Sequence, residues 1–128
     1  MAATRELRGK VAIVTGGSRG IGRSVCMAFA AAGAQVVVAS RTIHEAPPDS
    51  PFLKYGSGTI NDTAKQIAEA GGEALAIPCD VTRSEDLRHL ADRTVKHFGR
   101  IDIVVSNAGV DCESPVVDLE EDLLDRCL

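Results

Sequence analysis

Four short apolar runs recur along the chain: Val11–Thr15, Gln35–Ser40, Ala74–Cys79 and Ile101–Ser106. None shows a clean polar–apolar alternation, which predicts strands covered on both faces, as in a parallel sheet. Between them the apolar spacing lengthens to three and four. Ile21, Val25, Ala28, Phe29 and Ala32 make one helical stripe, closed by Gly33. Ala64, Ile67 and Ala68 make a shorter one before Gly71 and Gly72. Leu87, Leu90, Ala91, Val95 and Phe98 make a third, with an expected capping box from Thr82 to Glu85 and a closing Gly99. A fourth starts near Asp118, with Glu121 three residues on, and carries Leu119, Leu123, Leu124, Cys127 and Leu128. Strands alternating with helices imply right-handed crossovers. The expected class is α/β, a doubly wound parallel sheet of about four strands with flanking helices.

One stretch breaks the rhythm. His44–Gly58 holds three prolines and two glycines, and residues 42–60 read as a surface loop inserted between the second strand and its helix. The fourth helix has no stop signal, and its apolar period still runs at Leu128. The expectation is one domain over residues 1–128, truncated on its C-terminal side, with an incomplete sheet.

Composition changes this picture little. The 128 residues are 45% hydrophobic and 25% charged, without Trp, which is ordinary for a globular protein. The formal net charge is −4, unevenly spread: residues 1–110 hold 13 basic and 11 acidic side chains, residues 111–128 one basic and seven acidic. That balance argues against a nucleic-acid partner, and the acidic tail reads as a solvated helix face. Cys26, Cys79, Cys112 and Cys127 form no CxxC pair, and no His stands at zinc-ligand spacing. Reduced thiols and no metal are expected. The longest apolar run, Val25–Ala32, is too short for a membrane span, and the N-terminus lacks a secretory apolar region. A cytoplasmic protein with no membrane partner follows.

The chemistry gathers in "TGGSRGIGRS", Thr15–Ser24. A simple turn needs one glycine, and each further one costs stability. A phosphate-binding P-loop would use Gly17, Gly22, Arg23 and Ser24, but Arg23 stands where that loop needs a lysine ammonium. No Asp closes the later strand to hold a metal, since "IVVSNAG" ends in Ser106 and Asn107. A dinucleotide site fits better. Gly16 allows the tight turn, Gly20 lets the backbone approach a pyrophosphate, and Gly22 permits close helix–strand packing. The helix starting near Gly20 offers that pyrophosphate unpaired amides and the positive end of its dipole.

The spacing Thr15-Gly16-x-x-x-Gly20-x-Gly22 resembles the T-G-x-x-x-G-x-G motif of the short-chain dehydrogenase/reductase family. "CDVT", Cys79–Thr82, looks like the family's D-V segment after the third strand. "SNAG", Ser106–Gly109, resembles its N-N-A-G motif, with Ser106 in place of the first Asn. The resemblance covers essentially the whole chain and implies a Rossmann-type domain for a nicotinamide dinucleotide. It places Ser18, Arg19 and Ile21 with the motif residues at the cofactor, Asp80 and Val81 beside the adenine, and Asn107, Ala108 and Gly109 along the dinucleotide. The stretch after the insertion looks similar to a hydroxysteroid-dehydrogenase-like subgroup.

The second strand ends "VVVASRT", with Ser40 where an NAD site usually carries a carboxylate. Ser40 and Arg41 would donate to a 2′-phosphate, and Arg19 reaches the same face. NADP(H) is therefore favoured over NAD(H).

The resemblance also implies hydride transfer to or from a carbonyl or alcohol carbon, with a catalytic Asn, a Ser and a Tyr-x-x-x-Lys pair. The single tyrosine, Tyr55, is followed four residues on by Thr59, so no catalytic residue carries over. The parent activity, on a small-molecule substrate, would belong to a longer form, expected to be a homo-oligomer. The alternative is a non-catalytic nucleotide-binding or interaction protein that pairs with a full-length relative.

Overall fold

Val11–Thr15 (β1) has no charged side chain and is buried at every residue, so both its edges and both its faces must be covered. Gln35–Ser40 (β2) pairs with it in parallel, Val11 opposite Gln35 and Thr15 opposite Ala39. Glu73–Pro78 (β3) pairs outside β2, and Ile103–Val105 (β4) takes the other side of β1. The four-stranded sheet runs β3-β2-β1-β4. These elements come from a computed structural model that describes residues 5–44, 47–50, 58–109 and 115–127.

The helices are Gly20–Ala31 (α1), Ile60–Glu69 (α2), Ser84–Phe98 (α3) and Glu121–Cys127 (α4), the last preceded by a short 3-10 turn at Val116–Asp118. Along β2, Val36 and Val38 join Val14, Cys26, Ile60 and Ile67 beneath α1 and α2. The intervening Val37 and Ala39 join Ile13, Ile77 and Leu90 beneath α3. Two apolar faces explain why the strands lack alternation. Each fully buried isoleucine adds about 1.5–3 kcal/mol.

The chain winds outward through β1, β2 and β3 with α1 and α2 on one face. It then returns across the other face in α3 to place β4 beside β1. The direction of winding reverses between β1 and β4, which opens a crevice above their C-terminal ends. At the opposite, N-terminal ends of β1 and β4 a two-bond latch joins the strands. The Val11 N–H donates to Asp102 Oδ2 (2.8 Å) and the Asp102 N–H to the Val11 carbonyl (2.9 Å), while Arg100 grips the carboxylate with Nε and Nη2.

Several expectations need correction. The insertion ends sooner than residue 60: Gly58, Thr59 and Ile60 are buried, and Ile60 begins α2. Thr59 caps that helix in a reciprocal box with Asp62, and Ile60 is core. Residues 45–46 and 51–57, Tyr55 among them, lie outside the described residues. Helix α3 has no box from Thr82 to Glu85, because its cap residue is Arg83 and makes no side-chain cap bond. Thr82 instead gives its hydroxyl (2.6 Å) and amide (3.0 Å) to the nearer Asp80 carboxylate. Gly99 does close α3, in the left-handed region at φ 84°.

The stripes also shift. On α1 the buried residues are Gly22 and Cys26, whereas Ile21 is 76% exposed. On α3 they are Leu90 and Thr94, leaving Leu87 and Val95 exposed. Strand β3 runs one residue earlier than expected, from Glu73 to Pro78, and β4 covers only Ile103–Val105.

Candidate functional site

Above the crevice, β1 runs into the turn Gly16–Arg19 and then into α1. Gly16 has φ +71°, and a Cβ there would lie 2.8 Å from Asn107 Nδ2. A Cβ on Gly22 would lie 2.0 Å from the Gly16 carbonyl oxygen, so α1 sits directly on the turn. Gly17, which the motif reading passed over as a packing residue, is equally constrained: its Cβ would stand 2.7 Å from Val38 Cγ1. Gly20 opens α1 with φ +57°. The cap position, Arg19, makes no side-chain cap bond. The first-turn amides of a helix have no intrahelical acceptor, so this end of α1 carries donors and positive partial charge toward the crevice.

The turn is tied to β4. Thr15 Oγ1 accepts from the amides of Asn107 and Ala108, both at 3.1 Å, and donates to the Val105 carbonyl at 3.3 Å. Asn107 Nδ2 donates back to the carbonyls of Thr15 (3.1 Å) and Gly16 (3.3 Å). Thr15, Gly16, Asn107 and Ala108 are thus one hydrogen-bonded unit. Gly109 follows as an exposed residue with open space around its Cα.

At the end of β2, the Ser40 hydroxyl accepts from the Thr42 amide (3.0 Å) and donates across to Ser18 Oγ (3.5 Å). Ser18 is buried, Arg41 is exposed, and no carboxylate belongs to Ser40, Arg41 or Thr42. After β3, the Asp80 amide donates to Asp86 Oδ2 (2.8 Å). The Asp80 carboxyl is held below its ordinary range, chiefly by the Thr82 hydroxyl and amide, with Arg41 and Arg83 adding attraction. Asp80 is therefore held as the anion, and Val81 beside it is exposed.

Each expected residue lies at or just after the C-terminal end of a strand, in the turn leading to α1, or in the first turn of α1 itself. The set Thr15, Gly16, Ser18, Arg19, Gly20, Ile21, Gly22, Ser40, Arg41, Asp80, Val81, Asn107, Ala108 and Gly109 follows all four strand ends. Among the described residues no group of acidic, His and Cys side chains could hold a metal ion. In the same residues no helix is long and apolar enough to cross a membrane.

Comparison with known proteins agrees with this arrangement. A sequence model described as short chain dehydrogenase matches residues 10–128. A hydroxynaphthalene reductase-like protein of Metarhizium robertsii is 36% identical over 124 residues, which cover 95% of this chain and 41% of that relative. A short chain dehydrogenase from Mycobacterium smegmatis superposes with a TM-score of 0.82 at 31% identity, covering 99% of this chain and 48% of the other. A hydroxysteroid dehydrogenase from Escherichia coli gives 0.74 at 33% identity, covering 95% and 46%. The chain spans under half the length of each of these three relatives. With the family matched over residues 10–128 and the parallel sheet and glycine turn in place, the chain belongs to the short-chain dehydrogenase family of nicotinamide-dependent oxidoreductases.

Proposed function

We propose that residues 1–128 form the NADP(H)-binding portion of a cytoplasmic short-chain dehydrogenase/reductase, whose whole chain moves hydride between the nicotinamide and a carbonyl or alcohol carbon. The observation that carries the choice of cofactor is the end of β2. Ser40 and Ser18 stand hydroxyl to hydroxyl at 3.5 Å, with Arg41 next in sequence and no acid at the position. A carboxylate there would repel a 2′-phosphate, whereas two hydroxyls and a guanidinium would donate to it.

The residues fit such a group. Without a Cβ at Gly16 and Gly22, the turn, α1 and Asn107 pack directly on one another, which keeps the turn tight enough for its backbone to approach a pyrophosphate. The uncapped start of α1 favours an anion. Asp80 and Val81 would flank the adenine, and Asn107, Ala108 and Gly109 would line the path toward the nicotinamide. When bound, the nicotinamide supplies the hydride chemistry. This chain's own residues bind and orient; none of them is assigned to proton transfer.

Arg41→Ala tests the reading. A charged hydrogen bond lost from the 2′-phosphate costs about 1.5–3 kcal/mol, so NADPH should bind roughly ten- to a hundredfold more weakly while NADH changes little. Titration of each cofactor by fluorescence or calorimetry measures this. Equal losses for the two, or none, place 2′-phosphate recognition elsewhere.

A second reading, a non-catalytic partner that pairs with a full-length relative, is favoured by one feature. β4 is an edge strand, and Val104 on it is 60% exposed. Beside it, Ile13, Leu87, Ala91 and Ile101 help line an open hollow of about 400 Å³. Co-purification of this chain with a full-length relative, abolished by Val104→Lys, separates the two readings.

A further inference from the structure

Arg23 occupies the place where a P-loop would carry its phosphate-binding lysine, yet its guanidinium turns away from the crevice. Nε donates to Thr63 Oγ1 of α2 at 3.0 Å, and Nη2 donates to the Ser18 carbonyl. Thr63 is fully buried, and its hydroxyl passes the hydrogen bond on to the Gly17 carbonyl at 2.7 Å. The Arg23 backbone amide takes the Arg19 carbonyl at 3.3 Å. With Asn107 holding the carbonyls of Thr15 and Gly16, five successive carbonyls of the glycine turn are each held by an internal donor.

That pattern has an electrostatic meaning. In a trans peptide the C=O and the following N–H point in opposite directions. Fixing the Gly17 and Ser18 carbonyls toward α2 turns the Ser18 and Arg19 N–H groups the other way, away from α2. A turn that receives an anion needs its carbonyl dipoles held out of the site, because a flipped peptide would put a partial negative charge against the phosphate. Left without donors, the Gly17–Ser18 and Ser18–Arg19 peptides would be free to rotate, the more so beside glycines.

We propose that Arg23 and Thr63 are positioning residues for the dinucleotide phosphates. They act through the peptides of Gly17 and Ser18 and without touching the ligand. The inference rests on the dinucleotide reading above and adds to it the residues that set the turn. It also gives the insertion between β2 and α2 a connection to the site. Gly58, at φ +134°, is packed so tightly on Arg23 that a Cβ there would lie 1.6 Å from Nη2. The end of the insertion and the phosphate turn share one guanidinium.

The test uses the purified chain and four ligands: NADPH, NADH, ADP as a diphosphate probe, and adenosine 2′-monophosphate, which lacks the diphosphate. Arg23→Met is expected to weaken NADPH, NADH and ADP by a common factor of about ten, the order of one charged hydrogen bond. Adenosine 2′-monophosphate should weaken clearly less than ADP, because Ser40 and Arg41 are untouched and it shares only Ser18 with the turn. Thr63→Val, which keeps the volume and removes only the hydroxyl, should reproduce the pattern, and it replaces Arg23→Met if that variant loses its cooperative melt. Arg23→Lys should recover part of the loss. A parallel loss for adenosine 2′-monophosphate would mean a general loosening of the fold and would overturn the proposal, as would unchanged NADPH binding in both variants. If the unaltered chain binds no NADPH, the dinucleotide reading fails and takes this inference with it. NADPH binding that survives both substitutions removes this inference alone.

Discussion

Adding one methyl group at Gly22 should uncouple α1 from β1. The new Cβ would stand 2.0 Å from the Gly16 carbonyl oxygen, 2.6 Å from Asn107 Nδ2 and 2.7 Å from the Gly16 carbonyl carbon. Two of these are backbone atoms of a turn whose carbonyls are already hydrogen-bonded, so no side-chain rotation relieves the contact. The helix must withdraw by about 1 Å before the contact reaches the closest separation that packed atoms tolerate. Overpacking of this kind costs about 1–3 kcal/mol, and an immovable carbonyl puts Gly22 at the upper end. Against that stands a helix-propensity gain of about 1 kcal/mol from replacing an interior glycine by alanine. The clash wins by about 2 kcal/mol, a large part of the 5–15 kcal/mol that holds a typical domain together. Chemical or thermal unfolding of Gly22→Ala beside Gly109→Ala measures it, since a Cβ on Gly109 meets nothing within 4 Å among the described residues. The Gly22 variant should melt roughly 5–10 °C lower and bind NADPH at least about tenfold more weakly, and the Gly109 variant should melt within a degree or two of the parent. A Gly22→Ala protein that melts as high as the parent and binds NADPH equally would refute the idea that α1 rests on the Gly16 carbonyl.

Three further outcomes are expected. The Asp102 carboxyl is held below its ordinary range, first by the Arg100 hydrogen bonds and then by the Val11 amide. Its folded pKa is depressed, so its contribution is present above the unfolded value and lost as pH falls through the folded one. Acid unfolding of Asp102→Asn should accordingly begin from a lower stability and show a shallower fall below about pH 4; identical acid limbs would dismiss the latch. Burial pushes the Cys26 thiol up from 9.0 to about 12. A raised thiol pKa favours the neutral folded form, so stability should decline as pH rises from about 9 toward 12, and a thiol reagent at pH 8 should leave Cys26 unmodified until the protein unfolds. Finally, Val104→Lys puts a charge on the open β4 edge. If that edge drives self-association, sedimentation at micromolar concentration should show the variant smaller than the parent; equal sedimentation coefficients would acquit the edge.

The sheet and the glycine turn were legible because their causes are local. A five-residue apolar run followed by glycines has few other uses, and β1 and β2 fall on the residues the pattern predicts. Helix starts were harder, because several local groups compete for the same hydroxyl. Thr82 has the spacing for a capping box with Glu85, but Asp80 lies two residues back and takes both its donors. Thr59 was assigned to the insertion, although Thr59-x-x-Asp62 was a usable signal of the α2 start. The roles of Arg23 and Thr63 were illegible, since their bonds join residues 40 and 46 positions apart. The buried side of α1 was legible in Val25 and Phe29, which pack on the core, but not at its start. Gly22 and Cys26 face the sheet because the turn sets the helix down close to β1, and Ile21 is left outside.

The strand order has a consequence for how the molecule is made. β1 lies at the centre of the sheet, between β2 and β4, and is the first strand to be synthesised, while its partner β4 begins only at Ile103. On a ribosome, the Val11–Thr15 backbone can pair with β2 early. Its other edge, and the Val11 side of the Asp102 latch, must wait for some 90 more residues. At about 5–20 residues per second this interval is roughly 4–18 s. A strand without a charged side chain thus spends seconds half-paired in a growing chain. The glycine turn, which hangs from Asn107, gains its last two internal donors only once β4 has been made.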